Sequence, residues 1–246
     1  MFRPLLTLLA MFLAAAAAAQ DCHNTELDGN RYALCEVDAG LADLRLFLKG
    51  PDGEILGQFS TINRVLEPEG RQLAFAMNAG MYHDNRSPVG HYVEKGVEVM
   101  RVVPNKGPGN FGLLPNGVFC IRPGRADVIE TLAFVERAPE CTFATQSGPM
   151  LVIDGALHPR FLPDSTSRYV RNGVGSSADG QRVVFAISRN AVTFHEFGRL
   201  FRDGLGLPNA LYFDGNVSRL YAPSIDRNDA GFAMGPVVGV VVDRSD

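Results

Sequence analysis

The sequence predicts an α+β fold: a single domain with a strand-rich mixed-sheet core and few helices. Three observations lead there. Short apolar runs alternate with Gly, Pro and Asp-Gly turns along most of the chain. One helix is strongly signalled, and no regular βαβ alternation appears. At 246 residues, 46% hydrophobic and 20% charged, the chain is long and apolar enough for one sizeable core. That composition excludes disorder. A formal charge of −4 excludes a general nucleic-acid coat, which needs a cationic surface.

Residues 1–19 read as a secretory signal: Arg3, then an uncharged run from Leu5 to Ala19 ending in small residues. The domain is expected over 20–246, periplasmic or secreted, with no stable membrane insertion after signal removal. Export makes the four cysteines a disulfide framework with three possible connectivities. The pairs near in sequence, Cys22–Cys35 and Cys120–Cys141, are favoured. Without a Cys-x-x-Cys or a nearby His pair, no metal site is expected, and no cofactor either.

Within the domain, runs 31–37 and 43–48 read as strands, and Gly50-Pro51-Asp52-Gly53 turns the chain into 54–59. Residues 61–66 read as a weak helix. The run 72–77 is a buried strand stopping at Asn78-Ala79-Gly80. Residues 90–94 and 97–103 form a hairpin, as do 117–122 and 126–132 about Pro123-Gly124-Arg125. Residues 149–153 meet Asp154-Gly155, and 170–176 and 181–188 flank Asp179-Gly180. Thr193 and Glu196 have capping-box spacing, and Phe194, Phe197, Leu200, Phe201 and Leu205 share one helical face, with Gly204 and Gly206 to stop it. Ala210 to Phe213 is a strand running into Asp214-Gly215, and 236–242 is the last strand.

The standard catalytic motifs are absent, and the loose Gly173-Val174-Gly175-Ser176-Ser177-Ala178 fingerprint precedes a hairpin where a dinucleotide site needs a helix. What stands out is a set of polar residues at strand exits beside glycine: Asn78, Ser147-Gly148, Arg171-Asn172 and Asp214. A strand tip holds a side chain rigidly at the edge of a cleft, although Asn-x-Gly and Asp-Gly are also ordinary turn chemistry. Asp214 ends an apolar run, where a carboxylate without partners is costly. The planar fork of Arg171 suits a phosphate or carboxylate. His91 is a candidate acid or base, and Glu94 a candidate second carboxylate. Asp84 and Asp154 lie in turn-like surroundings.

These stretches together resemble the phosphodiester glycosidase family (the uncovering-enzyme-like domain), in its small exported bacterial branch. The resemblance is carried by Ala76 to Tyr82, Ser87-Pro88-Val89-Gly90, Pro115 to Phe119, Ala144 to Leu151, Arg171 to Gly175 and Asn209 to Gly215, in one order over about 30–243. It implies a glycine-rich mixed α/β fold and cleavage of a sugar from a glycosyl phosphodiester at the anomeric carbon. Asn78, Arg171 and Asp214 match the family's polar positions, so they are the expected catalytic residues. Arg171 would hold the phosphate with amides near Gly80 and Gly148, Asp214 would act as base, nucleophile or stabiliser, and Asn78 and Asn116 would orient hydroxyls. His91, Ser147, Asn172, Gly215 and Ser218 complete the expected substrate contacts. The run Asp214-Gly215-Asn216-Val217-Ser218 departs from the Asp-Gly-Gly-Gly-Ser-Ser of uncovering-type members. That departure motivates a second reading, a non-catalytic glycan- or envelope-binding module. A phosphodiesterase cutting P–O is a third.

Overall fold

The computed structural model describes residues 19–214 and 217–244. The signal-peptide expectation falls almost wholly on residues 1–18, and Gly215 and Asn216 also lie outside the described residues. Strands are numbered in chain order. The first sheet runs β1 (Gln20–Leu27), β2 (Asn30–Asp38), β13 (Arg182–Ser188), β12 (Asn172–Ser176), β14 (Asn209–Tyr212), β10 (Met150–Ile153) and β11 (Ala156–Leu157). The second runs β16 (Arg227–Asn228), β15 (Leu220–Ala222), β4 (Arg71–Asn78), β17 (Val237–Asp243) and β3 (Asp43–Phe47). The third runs β6 (Val97–Met100), β5 (Tyr92–Glu94), β9 (Phe143–Ser147), β7 (Gly117–Arg122) and β8 (Arg125–Glu130).

The α+β class therefore holds, and every strand pairing among the described residues is antiparallel. Short turns suffice for such pairing, whereas a parallel pair needs a crossover of a dozen or more residues. The three sheets meet on one core. Phe185 of the first packs on Phe75 of the second at 5.2 Å between centroids and edge-on to Phe119 of the third at 5.6 Å. All three rings are fully buried, and burying one such ring contributes about 1.5–3 kcal/mol. Disulfides form between Cys22 and Cys35, directly paired across β1 and β2, and between Cys120 and Cys141.

Helix α1 spans Phe59–Leu66 and contains the helix expected over 61–66, while residues 54–58 make only an isolated bridge from Ile55 to Lys49 instead of a strand. Phe59, Ile62 and Leu66 are buried at helical spacing, and that face docks on the second sheet. Residues 131–132 belong to α2 (Thr131–Arg137) instead of β8, because the Glu130 carboxylate accepts the Ala133 N–H and caps a helix there. Helix α3 (Phe194–Arg199) carries the expected capping box and widens into a π turn over Leu200–Gly204. Strands β1, β9 and β15 carry no clear sequence signal. β1 is a polar edge strand burying only Cys22. In β9 the polar Thr145, Gln146 and Ser147 are all buried, because their neighbours satisfy them. The Gln146 amide oxygen accepts from His91 N and Val103 N, while its nitrogen donates to Val103 O and Thr131 Oγ1.

Candidate functional site

The tips of strands from all three sheets converge on one polar group. Asn78 ends β4, Asn172 opens β12, Ser147 ends β9, and Asp214 follows β14. Asn78, Ser147 and Asn172 are completely buried. The Asn172 amide nitrogen donates to Asn78 O at 3.0 Å and to Asn78 Oδ1 at 2.9 Å. The Asn78 oxygen also accepts the Arg219 backbone N–H at 2.9 Å. Two donors on the oxygen fix which way the Asn78 amide faces, and its nitrogen is left buried with no hydrogen-bond partner.

The same group holds the acid. The Asn172 amide oxygen accepts the Asp214 N–H at 3.3 Å, and Ser218 Oγ donates to Asp214 O at 3.3 Å. Ser147 Oγ donates to the carbonyl of Phe213. The charge of Asp214 is felt by two tyrosines. Burial, then Asp214, pushes the Tyr82 hydroxyl up. Burial pushes Tyr212 up to about 12, with Asp214 adding to the rise and Arg171 opposing it. Both phenols are therefore protonated donors at neutral pH.

Arg171 neighbours Asn172 in sequence, but its guanidinium makes its hydrogen bonds away from the asparagine pair and shares Tyr212 with Asp214. It is 1% exposed. Its Nε donates to Val192 O at 2.9 Å and its Nη2 to Ser167 O at 3.1 Å, and its guanidinium carbon sits 3.6 Å above the Phe194 ring. The Tyr212 and Tyr169 rings are each 5.5 Å away. Burial lowers its pKa.

Gly80 lets the exit of β4 press on β9: a Cβ there would meet Thr145 Oγ1 and lie 2.6 Å from Gln146 O. Gly148 packs on Asn116, whose Cβ would be 2.6 Å from an added methyl. Asn116 is fully buried and donates to Phe111 O at 2.9 Å, leaving its amide oxygen without a partner. Asn116 thus lies beside the Ser147-Gly148 end of β9. His91 belongs to other surroundings. Its Nδ1 lies 3.0 Å from Met100 O, an acceptor that places the proton on Nδ1, and 3.4 Å from Glu98 Oε2. Its ring lies in a separate cleft with Lys95 and Phe134, and burial lowers its pKa. Glu94 accepts from the Tyr92 hydroxyl at 2.8 Å, and burial raises its pKa.

Sequence reasoning did not single out Tyr82, Tyr212 or Arg219. The signal for Arg219 is a charge wedged between Ser218 and an apolar strand. It is 6% exposed, and its guanidinium holds Asp229 O, Phe232 O and Gln58 Oε1. Among the described residues no three His, Cys, Asp or Glu side chains converge to hold a metal ion.

A buried asparagine pair beside an acid, assembled from the tips of three antiparallel sheets, defines a class of α+β domain with a strand-tip polar site. Residues 71–240 match the family described as phosphodiester glycosidase. A protein of Escherichia coli (strain K12) described as uncharacterized protein YigE is 33% identical over 218 residues, covering 88% of this chain and 82% of that one. The chain belongs to the phosphodiester glycosidase family. Its fold is shared with the zebrafish N-acetylglucosamine-1-phosphodiester α-N-acetylglucosaminidase catalytic domain auto-inhibited by its pro-peptide, at TM-score 0.65 and 12% identity, covering 92% of this chain and 85% of that one. A candidate exported protein of Burkholderia pseudomallei K96243 matches at TM-score 0.57 and 12% identity, over 86% of this chain and 74% of that chain. At the level of the family, the function is of the phosphodiester glycosidase type.

Proposed function

We propose that this protein is an exported hydrolase that cleaves the sugar from a glycosyl phosphodiester by breaking the bond between C1 and oxygen. The observation that carries this is the Asn78 amide: its oxygen is held by Asn172 and Arg219, and its nitrogen is buried and unpartnered at a strand tip beside Asp214. A donor fixed in this way, at a cost of about 1–3 kcal/mol while unsatisfied, suits a substrate oxygen. Asp214 is the base, nucleophile or electrostatic stabiliser of the oxocarbenium-like transition state. The phosphomonoester leaves without strong acid assistance, and the protonated Tyr82 and Tyr212 supply donors nearby. Arg171, committed to two carbonyls and an aromatic face, acts as a positioning residue through Tyr212. Two disulfides and the likeness to a candidate exported protein support a periplasmic or secreted location. No described helix is long and apolar enough to cross a membrane.

The test is release of free sugar from a panel of glycosyl phosphodiesters in ¹⁸O water. Label in the sugar supports C1–O cleavage, and label in the phosphate refutes it. Intact binding without turnover favours the binding-module reading, which the altered turn after Asp214 motivates.

A further inference from the structure

A cleft of about 770 Å³ lies between the β5–β6 hairpin and the end of α2, and neither Asn78 nor Asp214 lines it. One side chain in its wall has an unused hydrogen-bonding atom. His91 is 6% exposed, and its Nδ1–H donates to Met100 O at 3.0 Å. With the proton on Nδ1, Nε2 is a lone-pair acceptor. It makes no hydrogen bond among the described residues and is not sealed from solvent, so it opens on the cleft. Burial keeps the ring neutral and Nε2 free to accept. We propose that this cleft is a binding site for an organic ammonium ion, a primary amine carried on an apolar stem.

The chemistry of the walls selects the class. Glu98 and Glu140 line the cleft, and among the described residues neither is paired with a lysine or arginine. Lys95 is the one cation in the described wall, and its charge already steadies the neighbouring Glu94 carboxylate. Two carboxylates and a neutral imidazole acceptor against one ammonium repel an anion and attract a cation. A metal ion does not fit, because among the described residues no three His, Cys, Asp or Glu side chains converge closely enough to hold one. Spread acceptors suit a larger cation. An ammonium brings three donors and no acceptor, which matches His91 Nε2 and the two carboxylates. The stem has apolar wall to lie on at Val93 and Pro139. The Phe134 ring, 5.2 Å from the His91 ring, offers its face to the charge.

The experiment is an NMR titration of the purified protein with three probes of equal stem: pentylamine, pentanol and pentanoate. Pentylamine is expected to give saturating shifts centred on His91, Glu98 and Phe134, with pentanol and pentanoate far weaker. Glu98→Gln and Glu140→Gln change exposed positions and keep side-chain volume, so the fold should survive them. Each should weaken pentylamine binding about tenfold, the loss of one charge-assisted hydrogen bond. A blocked lysine tripeptide forms the second arm. Tighter binding of the peptide than of pentylamine places the ammonium on a protein partner, and the reverse order places it on a free amine; both support the site. Absence of saturating shifts, pentanoate binding as tight as pentylamine, or wild-type affinity in the Glu98→Gln, Glu140→Gln double variant overturns it. The readout is binding alone, so its result is independent of whether any glycosyl phosphodiester is hydrolysed.

Discussion

The side-chain nitrogen of Asn172 donates to both oxygens of Asn78, its backbone carbonyl and its side-chain amide, across 94 positions of sequence. This one side chain ties the first sheet to the second, and its own oxygen holds the N–H of Asp214. Site geometry and sheet packing are therefore the same interaction. Asn172→Ala leaves the Asp214 N–H without that acceptor and should lower stability by about 1–3 kcal/mol. Urea denaturation reads the loss, and an unshifted midpoint would show the bridge to be dispensable.

Asn78→Ala removes the unpartnered nitrogen along with the oxygen that accepts from Asn172. Turnover of a glycosyl phosphodiester should fall about a hundredfold or more if that nitrogen meets the transition state. Asn78→Asp separates the two roles, since it keeps the acceptor and loses the donor. It should be slow, and less stable in urea, because its new oxygen is buried with no donor beside it.

Asp214→Asn should cut kcat/KM on the same substrate by a factor of about 10² to 10⁴ while the thermal midpoint holds. Sugar release at the wild-type rate would remove Asp214 from the mechanism.

Arg171→Lys should destabilise the fold by about 2 kcal/mol, because an ammonium reproduces neither the stacking on Phe194 nor both carbonyl bonds. Calorimetry and kinetics together decide its part. A stable variant that is inactive would mean that the guanidinium touches substrate after all.

Burial lowers the pKa of both His91 and His158 below the ordinary value of about 6.5. Below that pH the unfolded chain takes up protons that the folded chain refuses, so stability falls as the pH drops from 7 toward 5. His91→Asn should flatten this slope in urea titrations across that range. An unchanged slope would mean that His91 titrates alike in both states.

Replacing Cys120 and Cys141 together by alanine reopens a loop whose ends are 21 residues apart and should cost about 3 kcal/mol. The loss is read as a lower thermal midpoint. The single polar strand tips should then stay in place, because β7 and β9 remain paired through Gly117 and Ser147.

Much of the fold was legible in local pattern. The capping box at Thr193 and Glu196 forms as spaced, since its two bonds lie within four residues. The strand ending at Asn78 and the disulfide pairs were readable for the same reason. Residues 54–58 misled because only Ile55 and Leu56 among them are apolar, too few to carry a period, and they form a single bridge at Ile55, while the helix expected over 61–66 forms as Phe59–Leu66 with Phe59, Ile62 and Leu66 docked on the second sheet. The site was half legible. Asn78, Asn172 and Asp214 were visible as polar residues at strand exits. Adjacent residues on an extended chain face opposite ways, so Arg171 and Asn172 serve different surroundings, which a list of strand exits does not reveal. By itself, then, the sequence determined the strand-rich class and the identity of the polar tips, because these follow from local spacing and composition; it favoured one of three cysteine pairings, and its motifs carried the resemblance to the family. Only the tertiary structure decided that Asn172 clasps Asn78, that Arg171 is bound to carbonyls, and that His91 lies in another cleft, because long-range hydrogen bonds depend on which sheet faces meet.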